Sequence, residues 1–405
     1  MVINEIKATP VTKQYDVLVC GGGFAGISAA LAAARLGKRV ALLEREFMLG
    51  GLGTAGLIAI YLPICDGKGR QVTFGIAEEL LRLSVSMGCE DRPQGPRGYF
   101  NWVVSDDPST RTEKDARFEV QYNPQICAIL MEQTLLKAGV DILYGTYAVG
   151  VEKQNDRISA VITESKSGRE AIAVTTVVDA TGDADIVKFA DLPCALHGKG
   201  NSLASWYAFC DRDGYSLRLL GICDVTDDEA DPSTKVALHS NKSYSGVDAE
   251  ETSQFVIESH ASVLNDFKIK RKADPDINIA TFATIPQLRM TRRLVGRTVL
   301  SDEHPFEYVA DSVGMVSDWR KRGPVFEVPF SSLYSEGCAN LITAGRCTSV
   351  TDEMWDIMRV IPCCALTGQA AGTAAAMCDD FSALSVDDLQ AQLKMDGVVL
   401  HECEL

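Results

Sequence analysis

The segment YDVLVCGGGFAGISAALAAARLGKRVALLERE, residues 15–46, decides the fold. Tyr15 to Cys20 is an apolar run of strand length. It enters a glycine turn, then an alanine-rich stretch with helical character that stops at Gly37, then a second strand, Arg39 to Leu43. Gly21, Gly23 and Gly26 form GxGxxG, with Phe24 and Ala25 in the variable positions. The first glycine permits the tight turn, the second lets backbone approach a pyrophosphate, and the third lets helix and strand pack closely. The helix N-terminus offers its free N–H groups and partial positive charge to phosphate. Glu44 ends the second strand twenty-three positions after Gly21, where a carboxylate binds ribose hydroxyls and repels a 2′-phosphate. Strand, glycine turn, helix, strand and acid together specify an adenine dinucleotide and leave NAD or FAD open.

Three further segments bear on that choice. REFMLGGLGTAG supplies a second cluster, Gly50, Gly51, Gly53 and Gly56, with Thr54 among them. An NAD site has no need of such a loop, whereas a flavin cofactor extends past its pyrophosphate. Residues 139–181 read as a β-meander with a return strand, strand-like over Ile158 to Thr163 and Ala171 to Val178 about a Lys-Ser-Gly turn. VVDATGD then closes in a small-residue turn, and Ala180, Thr181 and Gly182 let the chain pass beside the adenosine half. Far downstream, a strand from Asn340 to Ala344 ends at Gly345-Arg346, and Pro362 opens a helix in which Gly368 and Gly372 share one face. Its positive end suits the negative charge of a reduced flavin ring.

These segments resemble the FAD-dependent oxidoreductase family of the two-dinucleotide-binding-domain flavoprotein superfamily, which includes relatives of fumarate reductase and succinate dehydrogenase flavoproteins. The resemblance rests on GGGFAGISAA with Glu44, LGGLGTAG, VVDATGD, RMTRRLVGRTVLSDE, VPFSSLY, NLITAGRCTSVTDE and RVIPCCALTGQAAGTAAA, and covers most of the chain. It implies that Gly21, Gly23, Gly26, Glu44, Arg45 and Gly51 contact noncovalent FAD, that Val151 lies near adenine, and that Gly345-Arg346 and the helix after Pro362 approach the flavin. With Phe24, Ala25, Gly50, Thr54, Ala180, Thr181 and Gly182 they form the expected cofactor set. Many relatives carry a histidine in the segment TSVTDE where this chain has Asp352, so no proton donor is inferred from that histidine.

The expected fold is α/β: a Rossmann-like FAD-binding domain, a parallel sheet with a β-meander, plus an inserted α+β substrate domain. Residues 1–60, 120–191 and 330–384 are assigned to the discontinuous cofactor domain, 61–119 and 192–329 to the substrate or cap domain, and 385–405 to a C-terminal helix and tail. Within the cap, Leu203 to Phe209 reads as a strand, Ala249 to Lys268 as a helix, Asp224 to Asp231 as an acidic stretch, and Arg92 to Asp115 as a mobile loop. The last helix is Val386 to Lys394, capped by Ser385.

Composition narrows the function. The 405 residues are 46% hydrophobic and 23% charged, enough for a large core. Thirty-nine Lys and Arg against fifty-five Asp and Glu give a net charge of −16, which argues against nucleic acid as partner. No run supplies the ~20 apolar residues of a membrane span, and the polar N-terminus has no signal core, so a cytoplasmic location is expected. Of thirteen cysteines, an odd number without CxxC spacing, most read as buried thiols, including vicinal Cys363 and Cys364 in an apolar helical run. Five scattered histidines make no metal pattern.

The candidate substrate-side groups are Arg289 and Arg292 of RMTRR, able to pair with a carboxylate or an oxyanion, and Asp352. Spacing of i, i+3 and i+4 for Arg289, Arg292 and Arg293 also fits a solvated helix face or structural ion pairs. Arg346 and Arg359 either flank the flavin or form structural ion pairs, and core packing is favoured for Tyr61 and Cys65. The expected activity is transfer of a hydride between flavin N5 and a small polar or carboxylated organic substrate. A flavin-dependent hydroxylase using oxygen and NAD(P)H, and a regulatory or structural FAD-binding protein acting through a partner, are the alternatives. No second GxGxxG for a resident pyridine nucleotide domain and no CxxxxC pair near the first motif is present, so the electron donor or acceptor is expected to be transient. Self-association as a homo-oligomer is left open.

Overall fold

The computed structural model describes residues 3, 6–87, 120–212, 214–221 and 242–405. The stretches Arg92 to Asp115 and Asp224 to Asp231 lie outside the described residues. The opening unit is strand β1 (Val11–Cys20), helix α1 (Phe24–Arg35) and strand β2 (Val40–Glu44). Strand β1 starts four residues before Tyr15 because Val11 and Lys13 already pair with Ala171 and Ile172, although their side chains are exposed.

One seven-stranded sheet is built around the opening unit. Its order is Asp141–Tyr144, β2, β1, Gly168–Asp179, Arg157–Ser165 and Tyr147–Gln154, with Leu341–Thr343 also paired to Gly168–Asp179. Contacts of β1 with β2 and with Gly168–Asp179 are parallel, and the meander strands are antiparallel. Strand Gly168–Asp179 divides one edge between two neighbours. Its first half carries the meander, Ala173 opposite Ala160, and its last three residues carry Leu341–Thr343 in parallel. Register therefore brings Leu43, Cys20, Asp179 and Thr343 into one rank across the sheet. Every chain that leaves this rank enters a turn at the same sheet edge, the place where ligands bind in parallel α/β sheets.

Helix α1 and the helix Ile361–Met377 pack together beneath that edge. The second is buried from Pro362 to Ala376 on every face, as a helix inside a core must be. Glycine makes the approach feasible. A Cβ on Gly368 would lie 2.1 Å from the Ala25 carbonyl oxygen, and one on Gly372 would lie 2.1 Å from that of Ala29. The short helix Asp352–Met358 meets Ile361–Met377 at 90°, and among the described residues no single helix is long and apolar enough to cross a membrane.

A separate three-stranded antiparallel sheet consists of Gly214–Arg218, Tyr207–Asp211 and Asn278–Phe282, with the helix Ala249–Ala273 beside it. Asp266 on that helix accepts from Tyr207 Oη at 2.7 Å and Arg218 Nη2 at 2.9 Å, fastening helix to sheet. The helix runs five residues beyond Lys268 and ends just before Asp274-Pro275, since a residue preceding proline disfavours the helical region. The strand expected over Leu203 to Phe209 begins only at Tyr207, where pairing to Arg218 and Phe282 starts. RMTRR contributes a strand, Arg292–Leu294 paired with Cys194–Leu196, and not a helix turn. Alternation along a strand sends Arg292 and Arg293 to opposite faces, so they have separate surroundings.

Candidate functional site

Gly21 leaves β1 with φ +107°, and its N–H donates to the Leu43 carbonyl at 2.9 Å. A Cβ there would stand 2.3 Å from the Ala180 oxygen, and one on Gly26 only 1.8 Å from the Gly21 oxygen. These two glycines hold the turn against its neighbours. Gly23 differs: nothing lies within 4 Å of the Cβ it lacks, so it faces open space. It is also the N-cap of α1, which has no side-chain cap, leaving the first-turn N–H groups to an external acceptor.

Glu44 is the buried acid of the site. Its Oε2 accepts from Gly22 N–H at 2.8 Å and its Oε1 from Glu46 N–H at 2.8 Å. Burial raises its pKa from the usual carboxylate range, although both N–H bonds pull the other way. Arg45 beside it is held above its ordinary value: burial works against its charge, but Asp183, Glu44 and Asp185 outweigh that. The second glycine cluster folds back on the first, with Gly50 N–H donating to the Gly22 carbonyl at 2.8 Å. Tyr122 Oη donates to the Gly53 carbonyl at 2.7 Å, and the Phe24 ring meets Tyr61 and Tyr122 edge to face. Tyr61 and Cys65 are core residues, as expected.

The turn Ala180–Asp185 is locked from below. Asp179, fully buried, accepts from Thr181 Oγ1 at 2.7 Å and Val187 N–H at 3.0 Å. The Cys347 sulfur accepts from Gly182 N–H at 3.2 Å and Ala184 N–H at 3.3 Å, and burial pushes that thiol well above its usual pKa. Arg346 spreads over the turn: its Nη1 donates to the carbonyls of Leu288 at 2.9 Å and Arg289 at 3.0 Å, and Nη2 lies 3.8 Å from Asp183. Arg292 donates to the Asp183 carbonyl at 2.9 Å and to Asp185 Oδ1 at 2.7 Å. Burial, with Asp183 and Asp179 nearby, lifts Asp185 to a pKa of about 6.

The two glycine turns, Glu44, Arg45, the turn at Ala180–Asp183 with Asp185, Arg292 and Arg346 border one cleft of about 600 Å³. Of the residues expected to hold cofactor, Gly21, Gly23, Phe24, Ala25, Glu44, Arg45, Gly50, Gly51, Ala180, Thr181, Gly182 and Arg346 line it. Five do not, and each has a packing reason. Gly26 sits under Gly21, and buried Thr54 backs Gly50 with its methyl. Gly345, at φ +66°, donates its N–H to Thr367 Oγ1 at 2.9 Å. Pro362 is buried in the first turn of its helix, whose neighbours Ile361 and Cys364 line the cleft instead. Val151 packs against the apolar layer beneath the sheet, and the wall there is Thr146, Tyr147 and Ala148, at the start of the same strand.

The substrate-side candidates are dispersed. Arg292 lines the cleft, but its guanidinium is engaged by Asp183 and Asp185. Arg289 is buried and lies over the Trp206 ring, 5.0 Å from its centroid, away from the cleft wall. Asp352 pairs with Arg293 at 2.9 Å, accepts from Gly198 N–H at 3.0 Å, and has His197 Nδ1 at 3.6 Å. Its link to the cleft is indirect, through Arg293 over Trp355 and the bond from Trp355 Nε1 to the Arg346 carbonyl. Arg359 reaches the cleft, and the Cys364 thiol beside it, raised to about 11 by burial, donates to the Arg359 carbonyl at 3.3 Å.

Sequence reasoning missed Asp183 and Asp185, although both sit in VVDATGDAD. It also missed Gly246–Ala249, Thr252, Ile285, Pro286 and Leu288, the cap's side of the cleft, which no local motif announces. The donor set fits FAD: an uncapped helix start, an open Gly23, a buried carboxylate on the ribose side, and a second glycine floor. Gly21–Ala25 would hold the pyrophosphate, Glu44 the ribose, and Gly50–Gly53 the segment leading to the ring.

Residues 16–261 and 208–393 match the family described as FAD dependent oxidoreductase. The chain is 33% identical to thioredoxin reductase of Ureaplasma parvum over 73 residues, 18% of this chain and 24% of that protein. It is 52% identical to the soluble pyridine nucleotide transhydrogenase of Mycobacterium bovis over 40 residues, 10% of this chain and 8% of that one. The chain thus spans less than a quarter of the length of either relative. A geranylgeranyl bacteriochlorophyll reductase-like protein from Thermoplasma acidophilum superposes with a TM-score of 0.43 at 14% identity, covering 95% of this chain and 82% of that one. The matched residues span the dinucleotide motif, the meander, the cap and the Ile361–Met377 helix, and the chain belongs to the FAD-dependent oxidoreductase family, with FAD as its cofactor.

Proposed function

We propose that the protein moves a hydride between FAD and a small polar or carboxylated organic substrate, with a transient partner carrying the electrons onward. One observation supports this above the others. The cleft has two unlike walls: Ala344, Arg346, Arg359, Ile361 and Cys364 on the sheet side, and Gly246–Ala249, Thr252, Ile285, Pro286 and Leu288 on the cap side. FAD supplies the two-electron redox chemistry at this site. The chain's contribution is to hold the cofactor by backbone donors, screen it with apolar cap residues, and place cationic groups at its margin. In this reading residues 1–60, 120–191 and 330–384 serve the cofactor, 61–119 and 192–329 cover it, and 385–405 brace the C-terminal end.

Within that proposal the named polar residues take different parts. Arg346 and Arg359 are the cations at the cleft wall, and Arg289, stacked on Trp206 behind that wall, is a positioning residue. Arg292 and Asp352 are positioning residues, the first for the Asp183–Asp185 turn, the second for Arg346 through Arg293 and Trp355. The test is an absorbance spectrum of the purified protein, followed anaerobically as hydroxy acids, amino acids and sugars are added. Bleaching by one class supports the proposal. Bleaching only by NAD(P)H, with reoxidation coupled to oxygen insertion into an added aromatic, would replace it with the hydroxylase reading. Bands that neither substrates nor NAD(P)H reduce would favour the regulatory one.

A further inference from the structure

The helix Ala249–Ala273 has two unlike faces. Phe255 and Val263 are buried, and Asp266 accepts from Tyr207 and Arg218 of the neighbouring sheet, so these residues mark the side that packs inward. At 100° per residue the opposite side is one stripe: Glu250, Ile257, Leu264 and Arg271, each seven positions after the last, with Ala261 and Lys268 beside them. All six are exposed. Ile257 is 67% exposed and Leu264 49%, which sets two branched aliphatic side chains in solvent one above the other. A single exposed aliphatic needs no explanation. A seam of them at heptad spacing, ended by charges, is the pattern by which one helix packs on another.

The charges on this helix decide which partner suits it. Its four acidic residues, Glu250, Glu251, Glu258 and Asp266, all precede its four basic ones, Lys268, Lys270, Arg271 and Lys272. In a chain of net charge −16, this helix has no net formal charge and is acidic at one end and basic at the other. Such a helix is complementary to itself turned end for end. In a two-fold pair with its axis near His260 and Ala261, Ile257 of each copy meets Leu264 of the other, and each Glu250 meets an Arg271. Lys268 then falls opposite Ser253. Opposed macrodipoles favour the same orientation. A parallel pair would instead set Glu250 against Glu250 and Arg271 against Arg271.

We propose that the outer face of the helix Ala249–Ala273 is a homodimer interface, in which two copies of the chain pair antiparallel through Ile257 and Leu264 and are oriented by Glu250–Arg271 ion pairs. The net negative charge of the copies does not prevent this, because exposed charges farther apart than about 8 Å are largely screened at physiological salt. Thr252, on the inward side of the same helix, lines the cofactor cleft, so a copy seated on the stripe leaves the cleft open while steadying one of its walls.

The experiment is sedimentation velocity of the FAD-loaded full chain from about 1 to 100 µM, the range expected for the small interface of one helix pair. A dimer is expected to grow in with concentration. Leu264→Glu is expected to abolish it within that range. Glu250→Lys and Arg271→Glu, each of which turns two attractive pairs into repulsive ones, are expected to weaken it by about 10-fold. The double variant Glu250→Lys with Arg271→Glu should return it to near the wild-type strength. Within one helix the two residues are twenty-one positions apart, about 32 Å, so that recovery can arise only between copies. The substituted positions are exposed, and an unchanged flavin-to-protein ratio and melting temperature separate loss of the dimer from loss of the fold. A monomer at the top of the range, a dimer indifferent to Leu264→Glu, or a double variant no tighter than the single ones would overturn the interface.

Discussion

The α-carbon of Gly182 lies directly under the Arg346 guanidinium: a Cβ there would stand 2.1 Å from Nη2, and the residue holds φ +82°. Arg346 can fork onto the Leu288 and Arg289 carbonyls only because the turn beneath it has no side chain. The contact joins the sheet edge to the cap segment that forms the opposite wall.

Gly182→Ala is therefore expected to destabilise the protein by roughly 2 kcal/mol or more, combining left-handed backbone strain with displacement of the arginine. Purified variant should lose FAD on desalting, seen as a fall in flavin absorbance relative to protein. Arg346→Lys should produce the same flavin loss with a smaller drop in melting temperature, since a lysine cannot bridge two carbonyls in the same geometry. A Gly182→Ala protein with wild-type melting and flavin content would show that the arginine is free to move and does not brace the turn.

Glu44 offers a cleaner test of cofactor binding. Its two oxygens already accept from Gly22 and Glu46 N–H groups, so each has a defined direction. Glu44→Gln replaces one acceptor by an NH₂ that faces a backbone donor. We expect FAD affinity to fall by about 10- to 100-fold, equivalent to roughly 1.4–2.8 kcal/mol, with the fold retained. Fluorescence titration of deflavinated protein measures this. Unchanged affinity would mean that the carboxylate serves only the loop.

How much of this was legible before the structure depends on the range of the interaction. Gly21, Gly26 and Glu44 belong to one local strand, turn and helix unit, and their roles follow from spacing. The meander was readable because alternation and the Lys-Ser-Gly turn are local too. RMTRR was ambiguous, since arginines at i, i+3 and i+4 suit a helix and only pairing with Cys194–Leu196 makes the segment a strand. Val151 was placed near adenine by resemblance, yet the strand crosses the cleft at Thr146–Ala148, a matter of where it meets β2 and not of its own sequence. The cap wall at Gly246–Thr252 and Ile285–Leu288 has no periodic signature. It reaches the cofactor side through long-range bonds such as Thr284 N–H to the Ala55 carbonyl at 2.9 Å.

Asp185 predicts a pH dependence with a definite sign. Burial raises its pKa from 3.8 to about 6, so the folded protein binds this proton more tightly than the unfolded chain does. The stability penalty of charging it is absent below about pH 4, grows as pH rises through 6, and is constant above. Asp185→Asn removes that decline. In urea unfolding of deflavinated protein, the variant should gain about 1–3 kcal/mol relative to wild type between pH 4 and 7. Parallel stability curves for the two proteins would show that the Arg292 pair compensates for the burial and that Asp185 is ionised throughout.

The pair of α1 and Ile361–Met377 allows a test of packing alone. Gly368 and Gly372 face Ala25 and Ala29 of α1, and a methyl at either would come within 2.1 Å of a carbonyl oxygen that cannot move without breaking α1. Alanine has the higher helix propensity, by about 1 kcal/mol, so propensity and packing predict opposite outcomes for Gly→Ala. Overpacking of a filled core costs typically ~1–3 kcal/mol, and a backbone clash lies at the upper end. Packing should therefore win: Gly372→Ala is expected to lower the melting temperature, and Gly368→Ala to lower it and also weaken FAD binding, because Ala25 belongs to the turn that lines the cleft. Thermal melts of the FAD-loaded and deflavinated forms separate the two effects. If Gly372→Ala melted at or above wild type, the close approach of the helices would be wrong, and with it the placement of the Ile361–Met377 N-terminus at the cofactor edge.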